Sequence, residues 1–139
     1  MKIVIGTDGS VHSQRALEWC AEFAARLGAR VVVVHALEIP VYTGAFGYVA
    51  APYTPDDRDA MHDLVVEKWC DPLARANVPF EARLVDGAAV PALLNAARDE
   101  DADLVVVGRR GLGGFAELLL GSTSHQLSQH LGRPLLIVP

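Results

Sequence analysis

The chain has 139 residues, of which 51% are hydrophobic, and a formal net charge of -5 with a pI near 5.4. This length and composition predict one globular domain spanning residues 1–139, with enough apolar residues to fill a core. Because acidic and basic residues are interspersed, the sequence marks neither a nucleic-acid-binding face nor a basic helix that would lie on a membrane.

The N-terminal segments alternate strand, helix and strand. Residues 2–7 (KIVIGT) form a β-branched run ended by the turn sequence DGS, and residues 11–27 carry apolar side chains at the spacing of an amphipathic helix. Gly28 marks the end of that helix, and residues 31–34 are consecutive valines. A run so apolar indicates a strand covered on both faces, as in the centre of a parallel sheet.

The segment 38–55 differs in character from the rest of the chain. Prolines and glycines are interleaved with tyrosines and a phenylalanine, and neither a helical nor a strand period persists. The pattern predicts a long loop. Such loops are often lids or partner surfaces, and a variable surface excursion is an equal alternative for this one.

The remaining segments continue the alternation of helices and strands. The predicted elements are a helix over 56–76, a strand over 80–85, a helix over 90–100, a strand over 103–108, a helix over 124–131 and a strand over 134–139. The strand FEARLV alternates apolar and polar residues, which predicts a sheet edge, whereas DLVVVG is typical of a buried strand.

This order of elements predicts an α/β fold. We expect a single doubly wound domain with a five-stranded parallel sheet in the order 3-2-1-4-5 and helices on both faces. In such sheets ligands bind beyond the carboxyl ends of the strands, where the winding direction reverses. The segments of interest are therefore 7–10 and 108–114, which follow strands one and four.

The segment after strand four is rich in glycine, with Gly108, Gly111, Gly113 and Gly114 close together. Glycine accepts positive φ and lets a ligand or another backbone approach closely, so the segment offers several bare amide groups. Amides gathered in a concave loop bind anions.

A helix that begins after Gly121 would add to this anion site. Thr123 and Gln126 fit the S/T-x-x-E/Q capping box, which predicts a helix N-terminus here. The positive end of the helix dipole would then lie beside the hydroxyls of Ser122 and Thr123. Together with the glycines, these residues predict a phosphate site.

Two familiar phosphate motifs are absent from the sequence. A P-loop requires Gly-Lys-Ser/Thr, but the only lysines are Lys2 and Lys68. A dinucleotide fingerprint requires G-x-G-x-x-G at the first strand-to-helix turn, where this chain has GTDGS. Neither Walker-type chemistry nor NAD binding is indicated.

Gly108, Gly111 and the pair Gly121–Ser122 follow the spacing G-2x-G-9x-G-S/T, which resembles the signature of the universal stress protein family. The stretches IVIGTDGSVHSQRAL, VVVVHALE, DADLVVVGRRG and RPLLIVP extend the resemblance over nearly the whole chain outside 38–55. Family members with this signature have a doubly wound fold, bind ATP and commonly dimerise through the last strand. The resemblance therefore implies an ATP-binding stress-response regulator that forms a homodimer through residues 134–139.

The resemblance also implies a role for each residue of the site. The expected contacts are Gly108, Gly111, Gly121, Ser122 and Thr123 for the triphosphate, Thr7 and Ala36 for the adenine, and Asp8 for the ribose or a phosphate-bound Mg²⁺. Adenine nucleotide, as ATP with Mg²⁺, is the expected ligand.

Several of these polar residues have more than one interpretation. A carboxylate at Asp8 can accept from ribose hydroxyls or bind Mg²⁺ through water, but an Asp in DGS is also an ordinary turn former or helix cap. Arg109 and Arg110 could clamp phosphate oxygens with their guanidinium groups. We instead expect both arginines to point to water, as exposed arginines commonly do.

An enzyme would need an assembled nucleophile, base or metal cluster. The histidines are dispersed at positions 12, 35, 62, 125 and 130, and no G-x-S-x-G elbow occurs. The preferred interpretation is a switch, in which ATP biases segment 38–55 or the dimer toward an unidentified protein partner. The alternative is a slow ATP-hydrolysing or nucleotidyl-transferring enzyme on a related fold.

The cysteines and the apolar runs bear on where the protein resides. Cys20 and Cys70 lie in helical patterns without a CxxC pair or nearby histidines, which indicates reduced core thiols. No apolar run reaches the ~18 residues of a membrane span, and a strand pattern stands where a signal peptide would begin. We expect a cytoplasmic protein with neither a membrane nor a nucleic acid as partner.

Overall fold

The computed structural model describes residues 1–39, 41–112 and 120–139. Its strands are β1 (Lys2–Gly6), β2 (Arg30–Leu37), β3 (Val41–Gly44), β4 (Gly47–Ala50), β5 (Phe80–Asp86), β6 (Leu104–Gly108) and β7 (Leu135–Val138). Its helices are α1 (Val11–Leu27), α2 (Pro55–Asp63), a π-helical segment (Leu64–Trp69), α3 (Asp71–Arg75), α4 (Ala89–Asp99) and α5 (Ser122–His130). Gly113 and Gly114 lie outside the described residues.

The main sheet has five parallel strands in the order β5-β2-β1-β6-β7. Counted along the sheet's own strands this is 3-2-1-4-5, so the predicted doubly wound α/β fold is confirmed. In the register, Ile5 of β1 lies opposite Val33 of β2 and Val106 of β6. The alternating strand β5 occupies an edge, as its sequence predicts.

The valine run of β2 explains why helices cover both faces of the sheet. Val31 and Val33 are buried against α1 and α3 on one face, whereas Val32 and Val34 are buried against α4 and α5 on the other. Every valine of the run therefore faces a layer of helices. A strand without alternating polar residues is stable here because both of its faces are covered.

Both ends of α1 form as the sequence predicts. The Ser10 side chain accepts a hydrogen bond from the Ser13 amide as the N-cap, and Gly28 closes the helix in the left-handed conformation at φ 61° with its amide bonded to the Ala24 carbonyl. The first cap holds the helix N-terminus directly beyond the end of β1.

The prediction of an unstructured loop over 38–55 is wrong in part. Residues 41–50 form an antiparallel hairpin in which Val41 lies opposite Ala50 and Gly44 opposite Gly47. Gly47 adopts φ +109°, which only glycine accepts readily, and so allows the tight reversal. Val41, Thr43, Gly44 and all four residues of β4 are exposed, so burial imposes no alternating pattern on them.

The single helix predicted over 56–76 is also wrong. It is divided into α2, the π-helical segment and α3, and Pro72 falls in the first turn of α3. Proline lacks an amide hydrogen and clashes with the preceding turn, so a continuous helix through residue 72 is costly. The division turns the side chain of Trp69 toward the carboxyl end of the sheet, where it meets Gly9.

The predicted capping box at Thr123 and Gln126 is wrong, although the helix does begin in this region. Gly121 is the N-cap of α5, and Thr123 already lies inside the helix. Cys20 and Cys70 are buried free thiols, as predicted. Within the described residues, no helix is long and apolar enough to cross a membrane.

Candidate functional site

A cavity of about 730 Å³ opens beyond the carboxyl ends of β1, β2 and β6. It lies where the direction in which strands are added to the sheet reverses: β2 and β5 lie on one side of β1, and β6 and β7 lie on the other. All of the residues predicted for the site line it: Thr7, Asp8, Ala36, Gly108, Gly111, Gly121, Ser122 and Thr123. The fold thus brings together residues that are up to 116 positions apart in the chain.

Asp8 joins the two segments that follow β1 and β6. Its Oδ1 accepts a hydrogen bond from the Ser10 amide at 3.0 Å, and its Oδ2 accepts one from the Leu112 amide at 3.1 Å. The first bond belongs to a local turn of the kind that an Asp in the sequence DGS favours. The second is a long-range contact that positions Gly111 and Leu112 at the cavity.

The glycines of the segment are required by close approach. A Cβ at Gly108 would lie 2.6 Å from the carbonyl carbon of His12, and a Cβ at Gly111 would lie 2.5 Å from Oδ2 of Asp8. Neither residue, nor Gly121, has a positive φ. Of the two properties of glycine considered for this segment, close approach therefore explains these positions and positive φ does not.

The N-terminus of α5 closes the other side of the glycine segment. The Gly121 amide donates to the Arg109 carbonyl at 2.8 Å, and the buried hydroxyl of Ser124 donates to the same carbonyl at 2.9 Å. In the part of the chain that the structure describes, no side chain caps this helix. The amides of its first turn thus face the cavity beside Ser122 and Thr123.

Arg109 and Arg110 do not point freely into water, contrary to our expectation. Both are half-buried, and the Nε of each is buried without a hydrogen-bond partner among residues 1–39, 41–112 and 120–139. Arg110 is one of the residues that line the cavity. A buried guanidinium nitrogen without a partner is costly, so this arrangement favours an anion beside Arg110.

The inner wall of the cavity is a hydrogen-bonded group at the ends of β1 and β2. His35 Nδ1 lies 2.8 Å from the Thr7 carbonyl oxygen, so Nδ1 is the protonated nitrogen. The buried Thr7 hydroxyl lies 3.3 Å from Ser13 Oγ. These contacts fix Thr7 at the base of the site.

The end of the cavity away from the glycine segment is aromatic and apolar. It is lined by Tyr53, Met61 and Trp69, and the Trp69 ring meets His35 edge to face with centroids 5.1 Å apart. Gly9 adopts φ +77°, and a Cβ there would lie 2.4 Å from Trp69 Cζ2. Glycine at position 9 therefore makes room for the indole.

Sequence reasoning missed several cavity residues. His35 directly follows the valine run, so the rule that sites lie at the carboxyl ends of strands could have indicated it. Trp69 and Met61 belong to the helical region that was predicted as continuous, and no local pattern marks them. Tyr53 lies at the end of the segment predicted as a loop.

The comparisons with known proteins agree with this architecture. The model of the universal stress protein family matches residues 1–139. The chain belongs to the universal stress protein family. One relative, the universal stress protein in the 3′ region of the QAH/OAS sulfhydrylase of Thermus aquaticus, is 36% identical over 98% of this chain and 96% of its own length.

Other members of the family resemble the chain over nearly its full length. Universal stress protein YxiE of Bacillus subtilis is 29% identical over 99% of this chain and 97% of its own length. A crystal structure of a universal stress protein in complex with cAMP is 31% identical, covers 100% of this chain and 96% of that chain, and has a TM-score of 0.72.

The carboxylates of this universal stress protein do not form a metal cluster in the described residues. Among them, no three His, Cys, Asp or Glu side chains gather closely enough to hold an ion. Among the described residues, Asp8 and Glu38 are the acidic residues that line the cavity.

Proposed function

We propose that this universal stress protein is a single nucleotide-binding domain over residues 1–139 that binds ATP and acts as a nucleotide-dependent stress-response regulator. One observation carries the proposal: the residues of the glycine signature line the same cavity as those that follow β1 and β2. The cavity combines an end suited to phosphate with an end suited to a base.

The triphosphate would lie against the glycine segment and α5. Gly108, Gly111 and Gly121 give it backbone access, and Ser122 and Thr123 offer amides and hydroxyls at the positive end of the helix dipole. In this arrangement the phosphate oxygens accept hydrogen bonds from fixed donors, which requires little reorganisation on binding.

The adenine would lie toward the apolar end of the cavity. Thr7 and Ala36 would flank the ring, and Trp69 and Met61 would contribute apolar contacts. Asp8 would face the ribose, where a carboxylate accepts hydrogen bonds from hydroxyl groups. A relative that is 31% identical was crystallised with cAMP, which supports an adenine nucleotide here.

The residues present fit Mg²⁺ only as a partner of the nucleotide. Each oxygen of Asp8 accepts one backbone hydrogen bond, which leaves about two of the roughly four lone-pair sites of the carboxylate for an ion or a ribose hydroxyl. Mg²⁺ commonly uses one or two carboxylates, water and substrate phosphates. The ion would neutralise phosphate charge, with Asp8 as its protein ligand, directly or through water.

Regulation is favoured over catalysis because the cavity lacks an assembled reactive group in the described residues. Among the described residues, His35 is the histidine that lines the cavity, and donation from its Nδ1 to the Thr7 carbonyl leaves Nε2 as the acceptor nitrogen, so it would be the base of a slow hydrolase. We further propose a cytoplasmic homodimer that pairs through residues 134–139 and passes the nucleotide state to a protein partner.

The central experiment is a binding measurement on the purified protein. Ligand released by heat is identified by chromatography, and the stripped protein is titrated calorimetrically with Mg-ATP, AMP, cAMP and, as a control, Mg-GTP. We expect Mg-ATP to bind most tightly, and a concentration ~100 times its Kd to stabilise the fold by ~2.7 kcal/mol.

Three results decide among the alternatives. If no adenine nucleotide produces a heat of binding or raises the melting temperature, the proposal is contradicted. Tighter binding of cAMP or AMP than of ATP keeps the nucleotide site but contradicts the assignment of ATP. Steady hydrolysis that His35→Gln abolishes in a folded variant would establish the enzyme instead.

A further inference from the structure

The hairpin β3–β4 presents an apolar surface to solvent. Phe46 at its tip is fully exposed and Tyr48 is 81% exposed. Val41 and Val49 are also exposed. The segment 41–50 (VYTGAFGYVA) contains no charged residue. Such a concentration of apolar surface marks an interaction site rather than an ordinary surface turn.

The hairpin also lacks the support that two-stranded sheets need. A two-stranded hairpin is marginally stable in water unless it packs against another element. Here the residues of β4 are all exposed, so the described residues of the same chain do not cover this strand. Its stability therefore points to a covering surface outside the chain.

A groove of about 450 Å³ lies at the base of the hairpin, along α2. Its apolar lining consists of Ala51, Pro52, Tyr53, Ala60, Met61 and Leu64. Asp57 is the charged residue of the lining, and its carboxylate is bound to the hydroxyl and amide of Thr54 in a capping box. The groove is thus an apolar recess whose charge is already paired with hydrogen-bond donors.

The hairpin's own tip does not fill this groove. Each strand of the hairpin has four residues, which carry the tip ~13 Å from the base at the usual strand rise. The full exposure of Phe46 agrees with that separation. The tip and the groove can meet only between two chains, or with a foreign protein.

We propose that the hairpins of two copies of this chain exchange, so that Phe46 and Tyr48 of each copy insert into the groove along α2 of the other. A second copy fits because one chain carries both the projecting element and the recess, which is the self-complementarity that a two-fold interface requires. Two chains of net charge -5 repel each other, and an uncharged hairpin avoids adding like charges at the contact.

The area available is sufficient for a stable interface. Each aromatic side chain buries roughly 150–250 Å², and the exchange inserts two such rings from each chain. The groove walls that face the rings add a comparable area. The total falls within the ~1,200–2,000 Å² of specific protein interfaces.

This contact is separate from pairing through the last strand. β7 lies at one edge of the sheet, whereas the hairpin follows β2, which neighbours the opposite edge strand β5. Loss of the hairpin contact therefore leaves β7 unchanged, and the two contacts can be tested independently.

Photo-cross-linking tests the exchange directly. Phe46 is replaced by the photoreactive amino acid p-benzoylphenylalanine in a mixture of isotopically labelled and unlabelled chains. We expect cross-linked peptides that join residue 46 of one isotopic form to residues 51–64 of the other. Cross-links within one chain, to other regions, or only to a foreign protein added from a lysate would overturn the proposal.

Sedimentation analysis gives an independent readout. The double variant Phe46→Ser/Tyr48→Ser should have no more than half the mass of the parent assembly at the same concentration. Val11→Ser/Leu27→Ser, which removes two exposed apolar side chains from α1, is the matched control and should keep the parent mass. An unchanged mass in the hairpin variant contradicts the exchange, and circular dichroism verifies that both variants are folded.

Discussion

The Oδ2 atom of Asp8 lies 3.1 Å from the amide nitrogen of Leu112, which joins the turn after β1 to the segment after β6. A carboxylate that accepts from two backbone amides, those of Ser10 and Leu112, acts as a clamp between the halves of the sheet. Asp8 thus shapes the cavity before any ligand enters.

We therefore predict that Asp8→Ala weakens Mg-ATP binding about 10–100-fold, since hydrogen bonds to a charged group contribute ~1.5–3 kcal/mol. Calorimetric titration measures the change. Asp59→Ala, an exposed carboxylate on α2, is the control and should bind normally. Equal affinities in the two variants would mean that Asp8 neither clamps the site nor contacts the ligand.

Gly111 tests the glycine segment as a binding element. In Gly111→Val the new Cβ would meet Oδ2 of Asp8 at 2.5 Å, so the clamp must open. We expect loss of nucleotide binding with most of the fold retained, because the clashing atom is a side-chain oxygen at the cavity mouth. Gly132→Val, where a Cβ has open space, is the control. Normal affinity in Gly111→Val would remove this residue from the site.

Gly108 should behave differently from Gly111. A methyl group at residue 108 meets the backbone of α1 at His12 and Ser13, which cannot rotate away. We predict that Gly108→Ala lowers the free energy of unfolding by about 1–3 kcal/mol, the usual cost of overpacking. Urea unfolding without nucleotide measures this, and a stability equal to that of Gly132→Ala would contradict it.

Arg110 is the third test of the site. Its Nε is buried without a partner in the described part of the chain, and the residue lines the cavity. We predict that Arg110→Ala lowers ATP affinity about 10–100-fold and reduces the salt dependence of binding. Arg26→Ala, at the exposed end of α1, controls for net charge. If both variants bind alike, Arg110 does not contact phosphate.

The sheet could be predicted from the sequence because burial imposes a simple pattern. The valine run of β2 faces helices on both sides, so composition alone marks it as central. The hairpin at 41–50 could not be predicted from periodicity, because the residues of β4 are all exposed and show no alternation of buried and exposed positions. Its available signal was weaker: β-branched and aromatic residues on each side of Gly44 and Gly47.

The cavity could be predicted in part for a related reason. The positions after β1 and β6 follow from where the winding reverses, so Asp8 and Gly108 were accessible to topology. Trp69 was not, because its approach to Gly9 depends on the π-helical segment and on packing between distant parts of the chain. The roles of individual glycines likewise depend on three-dimensional neighbours that the sequence does not reveal.

Proline scanning of β7 tests the proposed homodimer. The Val105 amide donates to the Pro134 carbonyl and the Arg109 amide donates to the Val138 carbonyl. The backbone N–H and C=O groups of the even-numbered residues of β7 therefore point toward β6, and those of the odd-numbered residues point away from it. We predict that proline at 135 or 137 breaks the dimer but preserves the fold, whereas proline at 136 or 138 damages the sheet. Light scattering and circular dichroism separate the pairs. Dimers that persist with proline at both 135 and 137 would exclude β7 as the interface.

The buried thiols predict a pH effect on stability. Burial raises the pKa of Cys20 to about 12 and the pKa of Cys70 to about 11, above the ordinary value of 9.0. Above pH 9 the unfolded state releases these thiol protons while the folded state keeps them. The free energy of unfolding is therefore highest below pH 9 and declines as the pH rises toward 11. Urea unfolding between pH 8 and 11 should show this decline. It should be smaller in Cys20→Ala/Cys70→Ala, and equal slopes would contradict the assignment.

The two outer edges of the sheet differ in charge. Edge strand β5 carries Glu81 and Arg83, which form an ion pair, whereas β7 consists of Leu135–Val138 without charge. If both edges were uncharged, β7 of one copy could pair with β5 of the next and grow into an open filament. Charges on β5 oppose that growth, and pairing between two β7 strands uses the uncharged edge of each copy and leaves only the charged β5 edges outermost. The asymmetry thus gives any edge-paired assembly a finite size.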